Sequence, residues 1–294
     1  MTDDEARQKL IDAGRILDAA GQGDLTRGHV SIRVPGDAMH FFMKPHSQGL
    51  DEITADNIVL CDLEGEKVGS GGGRKHSEVY IHSEIYKARP DVMSVIHTHP
   101  LHAVAFSATG RALRPISQPA VAFADGLPYF ADTIDLIRTQ DKGAGVARAL
   151  GACKAVLLRN HGVAVVGATV EESTVLALML ENACQIQLLA QAGGGIGEEF
   201  SAEAIQRLHR DITRAEQYTL NFEYLRRAGK GVSHEPNVEQ ARRRHPAGSR
   251  CIFGGAGAGG WRPRSGAVPG RRPARQVGRS GEEGRRAVGL SRLP

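Results

Sequence analysis

The stretch VMSVIHTHPLHAVAFS, residues 92–107, changes its hydrophobic rhythm at Pro100. Before the proline the run is β-branched and reads as a strand. After it, Leu101, Val104 and Phe106 fit a helix, and proline suits a first helical turn. A strand that passes directly into a helix restricts the chain to mixed α/β folds. The same stretch carries His97, His99 and His102. His97 and His99 lie at i and i+2, so on a strand both leave the same face, about 6–7 Å apart at the backbone. Their rings can then converge on one ion, since neutral imidazole is the commonest transition-metal ligand.

The flanking pattern supplies the other elements. Residues 4–20 place Leu10, Ile11, Ile16 and Leu17 at helical spacing, and GQGD is expected to stop that helix. GHVSIRV and MHFFMKP are short strands. IVLCDLEGEKV reads as two strands joined at an EG turn. A helix is expected over 77–88, with Ser77 ahead of it. AVLLRN and GVAVVG form a hairpin, Val170–Ala192 a long helix, and 201–229 a last helix. No internal repeat is visible. Hairpins among the strands, with helices between, predict a single three-layer α/β/α domain around a largely antiparallel central sheet.

Charge divides the chain. Residues 241–294 hold thirteen Arg, no Lys and two Glu, a net of +11, whereas the whole chain carries +4, leaving −7 on residues 1–240. That tail has twelve Gly and few large apolar residues, too little apolar surface to offset the entropy of ordering. The expected division is a domain over 1–230 and a disordered Gly/Arg/Pro-rich tail over 231–294. With the basic charge confined there, no nucleic-acid partner is expected. No run approaches the roughly 18 apolar residues of a membrane span, and MTDDEARQKL is acidic where a secretory leader is basic and apolar. Cys61, Cys153, Cys184 and Cys251 are scattered without a CxxC pair and read as reduced thiols. A cytoplasmic protein without a membrane partner is the expectation.

Two further places carry candidate chemistry. In RNHGV, His161 lies between two apolar strands, and Gly162 offers backbone freedom beside it. In HSEVYIHSE, Glu78 and His82 fall at i and i+4 on one helical face, while Glu84 points elsewhere. Glu78 would lie in the first helical turn, whose partial positive charge favours its ionised form.

Taken together, E-x3-H, then HxH-P, then RNHG followed by a long helix resembles the class II aldolase/adducin family over residues 8–225. The resemblance implies an α/β/α domain, commonly a homotetramer. It implies a divalent metal on His97, His99 and His161, with Glu78 an acid/base residue that also approaches the ion. Zinc, manganese, iron and cobalt all suit such donors. Sugar-phosphate aldolases of this family hold phosphate with a Ser-Ser pair before the glutamate and a Thr-rich loop. Here His76-Ser77 and Lys44-Pro45-His46-Ser47 stand in those places, and Arg114–Phe123 lacks the family's tyrosine. Lys44, His46, His76 and Ser77, with Arg74, instead suit a planar substrate bearing carboxylates.

The pattern THPLHAVAFSATGRALRPIS, with LLRNHGVAVVG and ENACQIQLLA, resembles the family's aromatic decarboxylase branch, the 3,4-dihydroxyphthalate type, more than fuculose phosphate aldolase. The expectation is a metal-dependent carbon-carbon lyase that decarboxylates a hydroxylated aromatic dicarboxylate, with Glu78 or His82 as proton donor. The alternatives are a fuculose or ribulose phosphate aldolase or epimerase, and a non-catalytic adducin-like interaction module.

Overall fold

The computed structural model describes residues 1–230; the expected tail over 231–294 lies outside the described residues. Helix α1 (Asp3–Leu17) opens with a reciprocal cap in which Thr2 and Glu5 satisfy each other's backbone N–H groups. Its Leu10, Ile11, Ile16 and Leu17 are buried as their spacing predicts. GQGD does not end it cleanly. Asp18–Gln22 continues as a wider π turn with Gly21 at φ +76°. The turn carries Gln22 inward, where it donates to Ala177 O at 2.9 Å and accepts from the Thr98 hydroxyl at 2.8 Å.

Seven strands follow: β1 (His29–Arg33), β2 (His40–Met43), β3 (Val59–Asp62), β4 (Ser94–Thr98), β5 (Tyr129–Phe130), β6 (Ala155–Leu158) and β7 (Gly162–Gly167). They form one sheet in the order β3-β2-β1-β4-β7-β6-β5. Every pairing is antiparallel except β5 with β6. The expected antiparallel sheet is therefore present, with one parallel edge. The second strand foreseen after the EG turn shrinks to a single bridge between Cys61 and Lys67.

Helices α2 (Val79–Ala88) and α5 (Gln140–Leu150) cover one face, packing on Phe41, Met43, Val95 and Val166. On the other face, α1, α3 (Leu101–Thr109), α4 (Gln118–Val121), α6 (Val170–Ala192) and α8 (Ala215–Lys230) pack on Ile32, Ile96, Val163 and Val165. Alternation along each strand separates the two cores. The three-layer α/β/α arrangement follows directly.

Helix α6 is the one described helix long and apolar enough to cross a membrane by length and composition, although no such run was expected. Half of its apolar window is buried inside the protein, against β4, β7 and neighbouring helices. The last helix divides at Thr213 into α7 (Ala202–Ile212) and α8. There both the N–H and the hydroxyl of Thr213 turn back to His209 O.

Candidate metal centre and cleft

The antiparallel register sets His29 opposite His97 on β1 and β4, and Ala164 of β7 opposite His97 on the other side. His99 lies just beyond the end of β4, and His161 closes the turn between β6 and β7. The Nε2 atoms of His97 and His99 are 3.1 Å apart. The His161 ring centroid lies 5.0 Å from that of His97 and 5.2 Å from that of His99. One donor nitrogen from each of the three falls within 4.8 Å of the others. Glu78 closes the cluster, with Oε1 3.6 Å from His161 Nε2 and Oε2 4.0 Å from His97 Nε2.

Hydrogen bonds fix which nitrogens face inward. Nδ1–H of His97 donates to Val163 O at 2.9 Å, and Nδ1–H of His99 donates to Asp24 at 3.0 Å. Each ring is thereby left with an unprotonated Nε2 toward the cluster, the tautomer that a metal requires. Burial keeps His97 well below the ordinary imidazole pKa, a shift that His99 and His161 reinforce. His161 is lowered to about 4, again chiefly by burial.

Whether these residues fit a cation is decided by their unpaired atoms. Four buried side-chain nitrogen or oxygen atoms among the described residues have no hydrogen-bond partner, and three belong to His161 and His29. Each such orphan costs about 1–3 kcal/mol. A divalent ion among the three neutral imidazoles would offset part of that cost, and the donor set fits it.

Local backbone strain marks the same place. Leu25, Ser47 and Asn160 are the non-glycine residues at positive φ among the described residues. They adjoin Asp24, His46 and His161, and residues held in sparsely populated backbone regions cluster at functional sites. Gly162 is not at positive φ. It is glycine for space: a Cβ there would lie 2.5 Å from Thr98 O and 2.6 Å from His99 Cδ2.

The remaining expected residues separate into groups. Glu78 caps α2 from just outside the helix, without a side-chain capping bond, and Ser77 is one residue further out. Its carboxylate accepts from Ile137 N–H at 2.8 Å. Burial raises the Glu78 pKa, outweighing the Ile137 hydrogen bond and the nearby Arg138, so the ionised form expected from a first-turn position is disfavoured. His82 lies one ring deeper than the cluster. Its Nε2 is 2.6 Å from His29 Nδ1, and its Nδ1 is 2.6 Å from Ser31 Oγ, which reaches Tyr86 Oη at 2.8 Å. Both of its nitrogens are engaged, and none faces the cluster. His102 is drawn away as well, because Glu181 accepts from its ring and from the N–H groups of His102 and Ala103.

His46, His76 and Ser77 line a cleft of about 350 Å³ together with Arg74, Lys75 and Arg138. Lys44 does not line it. Its ammonium is buried, donating to Thr26 O and Pro45 O at 3.0 and 3.2 Å, and desolvation lowers it to about 8. His29, Asp24 and Arg138 also stand at the site or its cleft, although no motif in the sequence marks them. The available signal was the polar alternation of His29, Ser31 and Arg33 with Val30 and Ile32, which marks one face of β1 as non-apolar.

Two expectations arise here. His76 and His82 are each lowered to about 3 by burial, against 6.5 in the unfolded chain. The unfolded state then binds more protons between those values, so stability is complete above about pH 6.5. It falls as pH drops, by up to about 1.4 kcal/mol per pH unit for each ring. Urea unfolding at pH 7, 6 and 5 measures this, and equal midpoints would contradict it. Asp24→Asn removes the charge that orients His99, so divalent-ion affinity should fall about 10–100-fold in a chelator competition titration. Unchanged affinity would show that Asp24 does not support the site.

Fold and cluster define an α/β/α protein with preformed neutral imidazoles beside a buried carboxyl group. Residues 8–188 match the family model described as Class II Aldolase and Adducin N-terminal domain, and the chain belongs to that family. The chain is 33% identical over 186 residues to Decarboxylase NovR of Streptomyces niveus, covering 63% of this chain and 68% of that one. It is 34% identical over 193 residues to human gamma-adducin, covering 64% of this chain but only 27% of the adducin. L-fuculose 1-phosphate aldolase from Glaciozyma antarctica PI12 superposes with a TM-score of 0.69 at 26% identity, covering 78% of this chain and 90% of that one. Class II aldolases typically depend on a divalent metal, and the donors described above suit one.

Proposed function

We propose that this chain is a metal-dependent carbon-carbon lyase that decarboxylates a hydroxylated aromatic dicarboxylate such as 3,4-dihydroxyphthalate. One observation carries the reading: three imidazoles converge beside a buried carboxyl group whose pKa burial raises. A divalent cation held by His97, His99 and His161, with Glu78 alongside, would supply a Lewis acid that withdraws charge from a bound hydroxycarboxylate.

The protein's own groups account for the remaining steps. The basic cleft lined by His46, Arg74, His76 and Arg138 receives the second carboxylate. The bond between ring carbon and carboxylate breaks, its electron pair stays on the ring, and carbon dioxide leaves. The Glu78 carboxyl then gives its proton to that ring carbon and regains one from solvent. Glu78 is preferred to His82 as donor because both nitrogens of His82 are already engaged. Lys44, whose ammonium is bonded to two carbonyls, contributes positive potential rather than a direct contact.

NovR is a decarboxylase by name, and its similarity supports this choice over an aldolase. The similarity to a fuculose phosphate aldolase keeps sugar-phosphate cleavage as the second reading. The working form is a cytoplasmic homo-oligomer, a tetramer on the family pattern, built from a catalytic domain over 1–230. The test is to load the purified chain with one metal at a time, then assay carbon dioxide release from 3,4-dihydroxyphthalate and aldehyde release from fuculose 1-phosphate. Carbon dioxide alone supports the proposal, and aldehyde alone overturns it. A chain that takes up no stoichiometric metal and turns over neither compound is an adducin-like module.

A further inference from the structure

We infer that Arg138 selects the substrate, binding a second carboxylate on a planar aromatic acid whose other end lies at Glu78. This rests on the dicarboxylate reading above and names the residue that would enforce it.

Three observations carry the inference. First, among the cations lining the cleft, Lys75 is already occupied by Glu66 and Gly65 O at 2.7 and 2.9 Å, and Arg74 lies 3.0 Å from His46 Nδ1. The Arg138 guanidinium makes no hydrogen bond or ion pair among the described residues, although it faces the same space. Second, its backbone is anchored. Ile137 is fully buried in the core beneath α2 and α5, and its N–H holds Glu78 Oε1 at 2.8 Å. Adjacent Cα atoms are about 3.8 Å apart. Arg138 also lines the cleft with His76, whose Nδ1 accepts from Glu78 N–H at 3.3 Å, and its charge acts on the Glu78 carboxyl, so a group it holds lies near Glu78. Third, the cleft wall offers imidazole faces, with the His46 and His76 rings 5.3 Å apart and His76 a further 4.0 Å from His29. Flat faces around an unpaired fork of donors suit an aromatic carboxylate, which guanidinium binds bidentately.

A phosphate monoester would present similar oxygens, so the probes must separate the two. Isothermal titration of the full metal-loaded chain would use phthalate, benzoate and inorganic phosphate, none of which offers the adjacent hydroxyl that decarboxylation requires. Phthalate should bind more tightly than benzoate. Arg138→Gln should weaken phthalate about 10–100-fold, leave benzoate and metal content unchanged, and be partly rescued by Arg138→Lys. Phthalate binding equal to wild type in Arg138→Gln overturns the assignment. So does a wild-type chain that prefers phosphate and loses that preference in the variant. Because the readout is binding, an Arg138-dependent phthalate site in a chain that releases no carbon dioxide would uphold this inference while removing the decarboxylase reading.

Discussion

Glu78→Gln is expected to lower the kcat for carbon dioxide release by about 10²–10⁴-fold, the usual effect of removing a positioned general acid. Glutamine is close to isosteric, and its Oε1 can still accept from Ile137 N–H, so the start of α2 should keep its shape. The three histidines remain, so the cation should stay bound. What is lost is the carboxyl group, whose pKa burial raises, beside the cluster. The carboxyl is buried, with Oε1 3.6 Å from His161 and Oε2 4.0 Å from both His29 and His97. Single-turnover assays with metal content measured on the same sample make the result readable. A rate within about 10-fold of wild type would remove Glu78 from proton delivery.

Gly162→Ala should damage the site from the backbone side. The added methyl would sit 2.5 Å from Thr98 O and 2.6 Å from His99 Cδ2. Thr98 belongs to the ladder between β4 and β7, so its carbonyl cannot retreat without breaking sheet pairing. The expected cost is about 1–3 kcal/mol, as for other overpacked sites. For a domain of this size, each kcal/mol lowers Tm by about 2–4 °C. His99 must also rotate, so divalent-ion binding should weaken in parallel. Gly71→Ala is the control, since a Cβ there meets nothing within 4 Å. If both variants melt and bind metal like the wild type, close approach is not what requires glycine at 162.

Much of this was legible in the residues because it depends on short-range pattern. HxH on a β-branched run, RNHG between two apolar runs and a helix opening near Glu78 named residues that the fold brings together. What was illegible depended on tertiary contact. No element is expected from the sequence at helix α5, whose apolar pattern Gly143 and Gly145 interrupt, yet a Cβ on Gly143 would lie 2.3 Å from Tyr80 O. The glycine permits close packing of α5 on α2. His29 became visible only through register, since its place opposite His97 is set by strand pairing. Lys44 suggested a substrate contact and instead lies buried, because Thr26 and Pro45 supply the carbonyls that hold it. Arg138 sits where no periodic signal exists, next to a residue whose N–H reaches Glu78 across 59 positions of sequence.

The most direct measurement is metal content with X-ray absorption on the zinc-loaded chain, for the wild type and for His97→Ala, His99→Ala and His161→Ala. About one ion per chain with three imidazoles around it is expected, with loss of stoichiometric binding in each variant. An ion retained at full occupancy in all three variants, or no ion bound by the folded wild type, would contradict it.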